Sequence, residues 1–136
     1  MDTESFGRQI AALPMRRRKG HVEILLITSR ETKRWLIPKG WPMDGIADHK
    51  AAKIEAFEEA GIDGRIGKTP IGFFEYEKRG HMGDGRPLLV TVYALQVSEL
   101  KRNWPEKSER QRKWFSAAMA AELVKEEGLR GIIGGM

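Results

Sequence analysis

The chain contains no cysteine. That absence excludes disulfides, a thiolate nucleophile and any zinc or iron–sulfur site held by cysteine. Long apolar runs are missing as well. None approaches the roughly 18–20 residues that span a bilayer, and the longest, Ile24–Ile27, has the length of a buried strand. The opening MDTESFGRQI is polar and acidic before it is apolar, the reverse of a secretory signal peptide, so a cytoplasmic location is expected. There is no internal repeat, no low-complexity tract and no Ser/Gly/Pro-rich linker before the last few residues.

What is present fits one soluble globular domain. At 136 residues, 40% hydrophobic and 32% charged, the chain is long enough to build a core without staples. One domain is expected over residues 7–128, with 1–6 and 129–136 as terminal tails. Lys and Arg number 24 against 19 Asp and Glu, a net charge of +5. A basic excess suggests an anionic partner, whether nucleic acid, a membrane surface or a phosphorylated small molecule. Composition does not separate these, and many small proteins are basic without a ligand-related reason.

Arg8–Met15 and His21–Ser29 read as two strands joined by a basic turn, Arg16-Arg17-Arg18-Lys19-Gly20. Arg34–Ile37 is a short third strand, stopped by Pro38 and Gly40. After a loop over Trp41–Ala47, Asp48 can cap a helix that Ala51–Ala60 propagates and Gly61 ends. Arg65–Lys78 and Pro87–Val97 read as strands around a Gly-rich loop at 79–86, Lys113–Phe115 as a last short strand, and Ala117–Glu127 as a closing helix. The pattern is α+β.

Glu55, Glu58 and Glu59 stand at i, i+3 and i+4, so they share one face of the mid-chain helix. Like charges this close repel, and a hard divalent cation reverses the sign. An acidic helix face is by itself commonly just solvated. Ahead of it, however, runs the strand and turn Trp35-Leu-Ile-Pro-Lys-Gly40. Here the sequence resembles the Nudix hydrolases, whose signature reads G-x5-E-x7-R-E-U-x-E-E-x-G-U with U apolar. Gly40, Glu55, Ala56, Glu58, Glu59, Gly61 and Ile62 fall in register with it. Two positions depart, because the signature's early glutamate falls on Ile46 and its arginine on Ile54. An Ile46–Ile54 contact stapling loop to helix is one expectation for that pair. Flanking segments resemble the branch of diphosphoinositol polyphosphate and diadenosine polyphosphate hydrolases. They are Arg30-x3-Arg34-Trp35, Ile71-Gly-Phe-Phe-Glu75, and Trp104 through Arg110-x-Arg112-Lys113-Trp114-Phe115.

The resemblance implies a Nudix fold, a mixed sheet sandwiched between helices (α/β/α). It implies Mg²⁺ or Mn²⁺ held by Glu55 and Glu59 with Gly40 nearby, and Glu58 as the general base, the roles of Glu58 and Glu59 being interchangeable. It further implies that Arg8, Arg30, Lys39, Arg79, His81 and Arg110 bind phosphate, by guanidinium fork or point charge. The function implied is cleavage of a P–O–P bond in a dinucleoside polyphosphate or diphosphoinositol polyphosphate by a monomer or homodimer. The alternative is a Nudix-like protein that binds such a ligand and hardly turns it over. A nucleic-acid module rests only on the charge and the Arg16–Lys19 run, without any recognition motif, and is not expected. Arg16–Arg18 read as turn-exposed charges and His81 as an exposed residue, not a zinc ligand. Trp35 and Trp114 read as core or half-buried. Trp41 and Trp104 lie in loops, where they either pack or stack on a base.

Overall fold

The three arginines at 16–18 lengthen the first strand instead of forming a turn. In the computed structural model, which describes residues 7–77 and 87–136, β1 runs over Gly7–Arg18 and β2 over His21–Thr28. Only Lys19 and Gly20 remain between them, at φ 52° and 79°. Two consecutive positive φ values make the tight hairpin turn whose twist matches the strands it joins. Arg16 is consequently half-buried, donating to Glu23 at 2.7 Å and lying 4.0 Å over the Trp114 ring. Only Arg17 and Arg18 are the exposed charges expected there.

The remaining strands are β3 (Trp35–Leu36), β4 (Lys39–Gly40), β5 (Ile62–Ile66), β6 (Gly72–Glu77), β7 (Pro87–Leu100) and β8 (Arg112–Ser116). The single expected strand at 65–78 is thus two. Both lie antiparallel on β7, with a bulge at Asp63/Gly64. β7 runs parallel to β1, while β2 and β4 pair antiparallel with β1, and β3 and β8 antiparallel with β2. Among the described residues this makes one mixed sheet.

Helix α1 (Asp48–Ala60) covers one face. Its buried Ala51, Ala52, Ala56 and Ala60 sit on Ile10, Ala12, Leu25, Ile27 and Tyr93. Four alanines favour the helix and let it approach the strands closely. Asp48 is the first helical residue and Ala47 the cap, so Asp48 acts by charge at the positive helix end and by an ion pair with Arg8, not as the expected cap. The C-terminus does end at Gly61, in the left-handed region at φ 66°.

The opposite face carries α2 (Ala117–Leu123), capped by Ser116, and α3 (Glu127–Gly134). The expected closing helix therefore stops at Leu123, and the stretch expected as a tail is largely helix. Leu129 and Ile133 are fully buried with Leu13, Phe74 and Val90. The α/β/α sandwich is as expected. No helix of the described residues is long and apolar enough to cross a membrane.

Candidate active site

The site is built where α1 ends. The last carbonyls of a helix have no partner within it, and here each finds one from the segment leading into β8. Glu106 N–H donates to the Glu58 carbonyl at 3.1 Å and the Trp104 indole N–H to that of Glu59 at 3.1 Å. Arg112 donates to the Ala60 carbonyl at 2.8 Å and Lys101 N–H to that of Gly61 at 2.7 Å. The Arg112 guanidinium also lies 4.0 Å over the Trp104 ring, a cation at the negative helix end. Trp104 thus packs, and is not the base-stacking surface that was one of two readings for it. Its indole and Arg112 are among the atoms that a side chain at Gly61 would strike.

This clamp sets the glutamate face in place. Glu59 is buried and Glu55 and Glu58 half-buried. The side chains of Glu55 and Glu59 share a hydrogen bond. Burial pushes the Glu59 carboxyl up to about 8, Arg110 opposes the rise, and Glu55 and Glu106 add to it. Burial likewise raises Glu55, whose bond to Glu59 works the other way. The Glu55 carboxylate also lies so close to Gly40 that a Cβ there would collide with it. Only glycine brings strand backbone and carboxylate this near. The Lys39 backbone N–H points to Glu59 Oε1 at 3.4 Å.

Among the described residues no three or more His, Asp or Glu side chains form a ready-made metal cage. Two carboxylates and a strand backbone are nevertheless a donor set that suits a small hard cation, which keeps water and phosphate among its ligands.

Other candidate residues scatter. Arg110 is half-buried beside Glu59, with Nη2 3.8 Å from Oε1. The Lys39 ammonium lies 4.0 Å from the Tyr76 ring centre, across the strand from Gly40's side of the sheet. Exposed Arg30 pairs with Glu109 at 3.5 Å. Arg8 reaches Asp48 at 2.6 Å, at the other end of α1 and roughly 16 Å of helix rise from Glu59. Arg79 and His81 lie outside the described residues. Ile54 lines a mostly apolar hollow with Phe57, Ile62 and Lys101, and Ile46 is 38% exposed. Trp35 meets Phe115 edge-on at 5.0 Å, and both Trp35 and Trp114 pack against the core as expected.

Sequence reasoning missed Glu106, held by Arg110 at 2.7 Å. The i, i+4 spacing of that pair was its one visible signal.

The model of the NUDIX domain family matches residues 6–133. The chain belongs to that family. Among its relatives, Nudix hydrolase 21, chloroplastic, of Arabidopsis thaliana is 33% identical over 136 residues, covering 95% of this chain and 65% of its own length. Diphosphoinositol polyphosphate phosphohydrolase 2 of Rattus norvegicus is 29% identical over 126 residues, covering 91% and 66%. The chain thus spans just under two thirds of the length of these curated relatives. The solved Ap4A hydrolase of C. elegans superposes with a TM-score of 0.66 at 19% identity, over 95% of this chain and 94% of that one. The shared feature there is the Nudix fold, with its mixed sheet between helices.

Proposed function

We propose that this Nudix chain is a divalent-metal-dependent hydrolase that cleaves a P–O–P bond of a multiply phosphorylated small molecule by attack of water. The substrate class we favour is a dinucleoside polyphosphate or a diphosphoinositol polyphosphate. The observation that carries this reading is the Glu55 carboxyl group pressed against Gly40 and hydrogen-bonded to Glu59. Nudix hydrolases generally need a divalent metal, and Glu55, Glu59 and the Gly40 backbone would hold it as Mg²⁺ or Mn²⁺. Such an ion, when bound, neutralises phosphate charge and supplies Lewis-acid assistance to the transfer.

Glu58 shares that helix face and is only half-buried, so water reaches it more readily than Glu59. It takes the proton as the water oxygen bonds to phosphorus, while the bridging P–O bond breaks and its electrons leave with the departing phosphate. Arg30, Arg79 and His81 supply cations for the remaining phosphates, while Arg8, paired with Asp48, and Lys39, across the strand from Gly40's side, stand away from the carboxylates. Support for the substrate class comes from the names of relatives at modest identity together with the basic charge. A second reading, a binder with little turnover, is favoured by Ile54 turning to an apolar hollow where the signature has arginine.

The test is product analysis with Mg²⁺ and then Mn²⁺. The panel holds diadenosine polyphosphates, a diphosphoinositol polyphosphate, ADP-ribose, sugar nucleotides and nucleoside triphosphates. Cleavage of the first two at one P–O–P bond, abolished by chelator and lowered about 100-fold or more by Glu58→Gln, is expected. Silence from folded, metal-binding protein would sink the hydrolase reading and leave the binder.

A further inference from the structure

Arg110 enters the site from outside the signature. It follows a single 3-10 turn over Lys107–Glu109, and its backbone neighbour Gln111 is tied to Thr28 at the end of β2 in both directions. All three nitrogens of the side chain then face protein acceptors, two of them through hydrogen bonds. Nε donates to Glu106 Oε1 at 2.7 Å, Nη1 to the Thr28 carbonyl at 3.1 Å, and Nη2 faces Glu59 Oε1 at 3.8 Å. The Arg110 side chain is 10% exposed and that of Glu59 9%. A guanidinium enclosed in this way offers little to an incoming phosphate, but its planar fork spans two carboxylates at once. Isoleucine at position 54 meanwhile has no charge to offer the carboxylates, and it lines the hollow with Lys53, Phe57, Ile62, Asp63 and Lys101.

We propose that Arg110 is a positioning residue, which holds Glu59 and through it Glu55 in place for the cation. It would supply from the segment before β8 what an arginine at 54 would supply from the helix itself. The inference rests on the metal-site reading of Glu55 and Glu59. It assigns Arg110 to the carboxylates and not to substrate, and it accounts for how the site keeps its geometry with apolar residues at 46 and 54. A buried and a half-buried carboxyl group at hydrogen-bonding distance need an opposing charge to hold one arrangement, and removing that charge leaves them uncompensated. Glu106 completes the assembly by fixing the near edge of the fork.

The experiment is calorimetric titration of the full chain with Mn²⁺, alongside kcat and KM on diadenosine tetraphosphate. The proteins are wild type, Arg110→Met, Arg110→Lys, and Arg110→Met carrying Ile46→Glu and Ile54→Arg. Arg110→Met is expected to weaken Mn²⁺ binding about tenfold or more and to lower kcat, with KM within about twofold. Lysine recovers part of the loss, and the restored helix arginine recovers most of it. Unchanged Mn²⁺ affinity in Arg110→Met, or a rise in KM alone, overturns the proposal and makes Arg110 a phosphate ligand. If Arg110→Met fails to fold, Arg110→Lys decides by the same readout. Wild type that binds Mn²⁺ but cleaves nothing defeats the hydrolase reading, while the Mn²⁺ comparison still decides this one.

Discussion

At the scale of single residues, Glu59 is the group whose surroundings depart furthest from water. Its carboxyl lies under α1, against the Lys39 backbone, bonded to Glu55 and facing Arg110. Burial outweighs the arginine, and the group titrates near 8 in place of 4.5. The folded chain therefore carries a proton there that the unfolded chain lacks, between about 4.5 and about 8. The stabilisation is complete below 4.5 and is lost as pH rises through 8. Thermal unfolding of the metal-free protein is expected to fall by about 5 °C more for wild type than for Glu59→Gln between pH 6 and pH 9. Referring wild type to the variant removes the contributions of the three histidines and other groups. Equal pH dependence in the two proteins would mean that Glu59 is not held protonated. The sequence spacing already placed Glu55, Glu58 and Glu59 on one face. It was silent on the difference among them, because burial depends on what covers the face, and that cover arrives fifty residues later.

At the scale of elements, the cover is the segment 101–112, and its work is to finish α1. Trp104, Glu106 and Arg112 stand far from the helix in sequence, yet each gives a donor to one of its last carbonyls. Nothing in a local pattern announces such a partner. The Gly at 61 marked the helix end from conformation alone, since left-handed φ is a property of one residue. What packs on that glycine is a matter of tertiary approach. Trp104→Phe keeps most of the ring and removes the N–H, leaving the Glu59 carbonyl without its partner. A loss of about 1–3 kcal/mol in urea unfolding is expected, accompanied by weaker Mn²⁺ binding as the end of α1 loosens. A variant as stable as wild type would show that the indole bond contributes nothing net. The short strands followed the same division. β4 exists only because Lys39–Gly40 meets β1 at Ala11 and Ile10, and two residues with a proline before them carry no strand signal of their own.

At the scale of the molecule, the sheet separates two cores, and the proposed chemistry occupies one side. The α1 half holds Glu55, Glu58 and Glu59, while the α2–α3 half holds Leu129, Ile133 and Phe74. The alternation of β1 and β7 made the two-sided burial readable, since Ile10 and Ala12 face one way and Ala11 and Leu13 the other. The last helix escaped notice because GLRGIIGG looks like a flexible end. Among its glycines Gly128 instead serves close approach, lying against Phe74, while Gly72 of β6 makes room for Ile132, so that α3 rests directly on β6. Leu129 and Ile133, four residues apart, form the buried stripe, and the period was visible even though the composition argued against it. If the sheet isolates the halves, damage to this core lowers stability without reaching the carboxylates. Leu129→Ala is expected to cost about 2–5 kcal/mol in urea unfolding. Its Mn²⁺ affinity, measured well below the unfolding midpoint, is expected to match wild type. Loss of Mn²⁺ binding in a variant that is still folded would instead mean that the two cores communicate through the sheet. The metal-site geometry would then depend on α3 as much as on the segment that clamps α1.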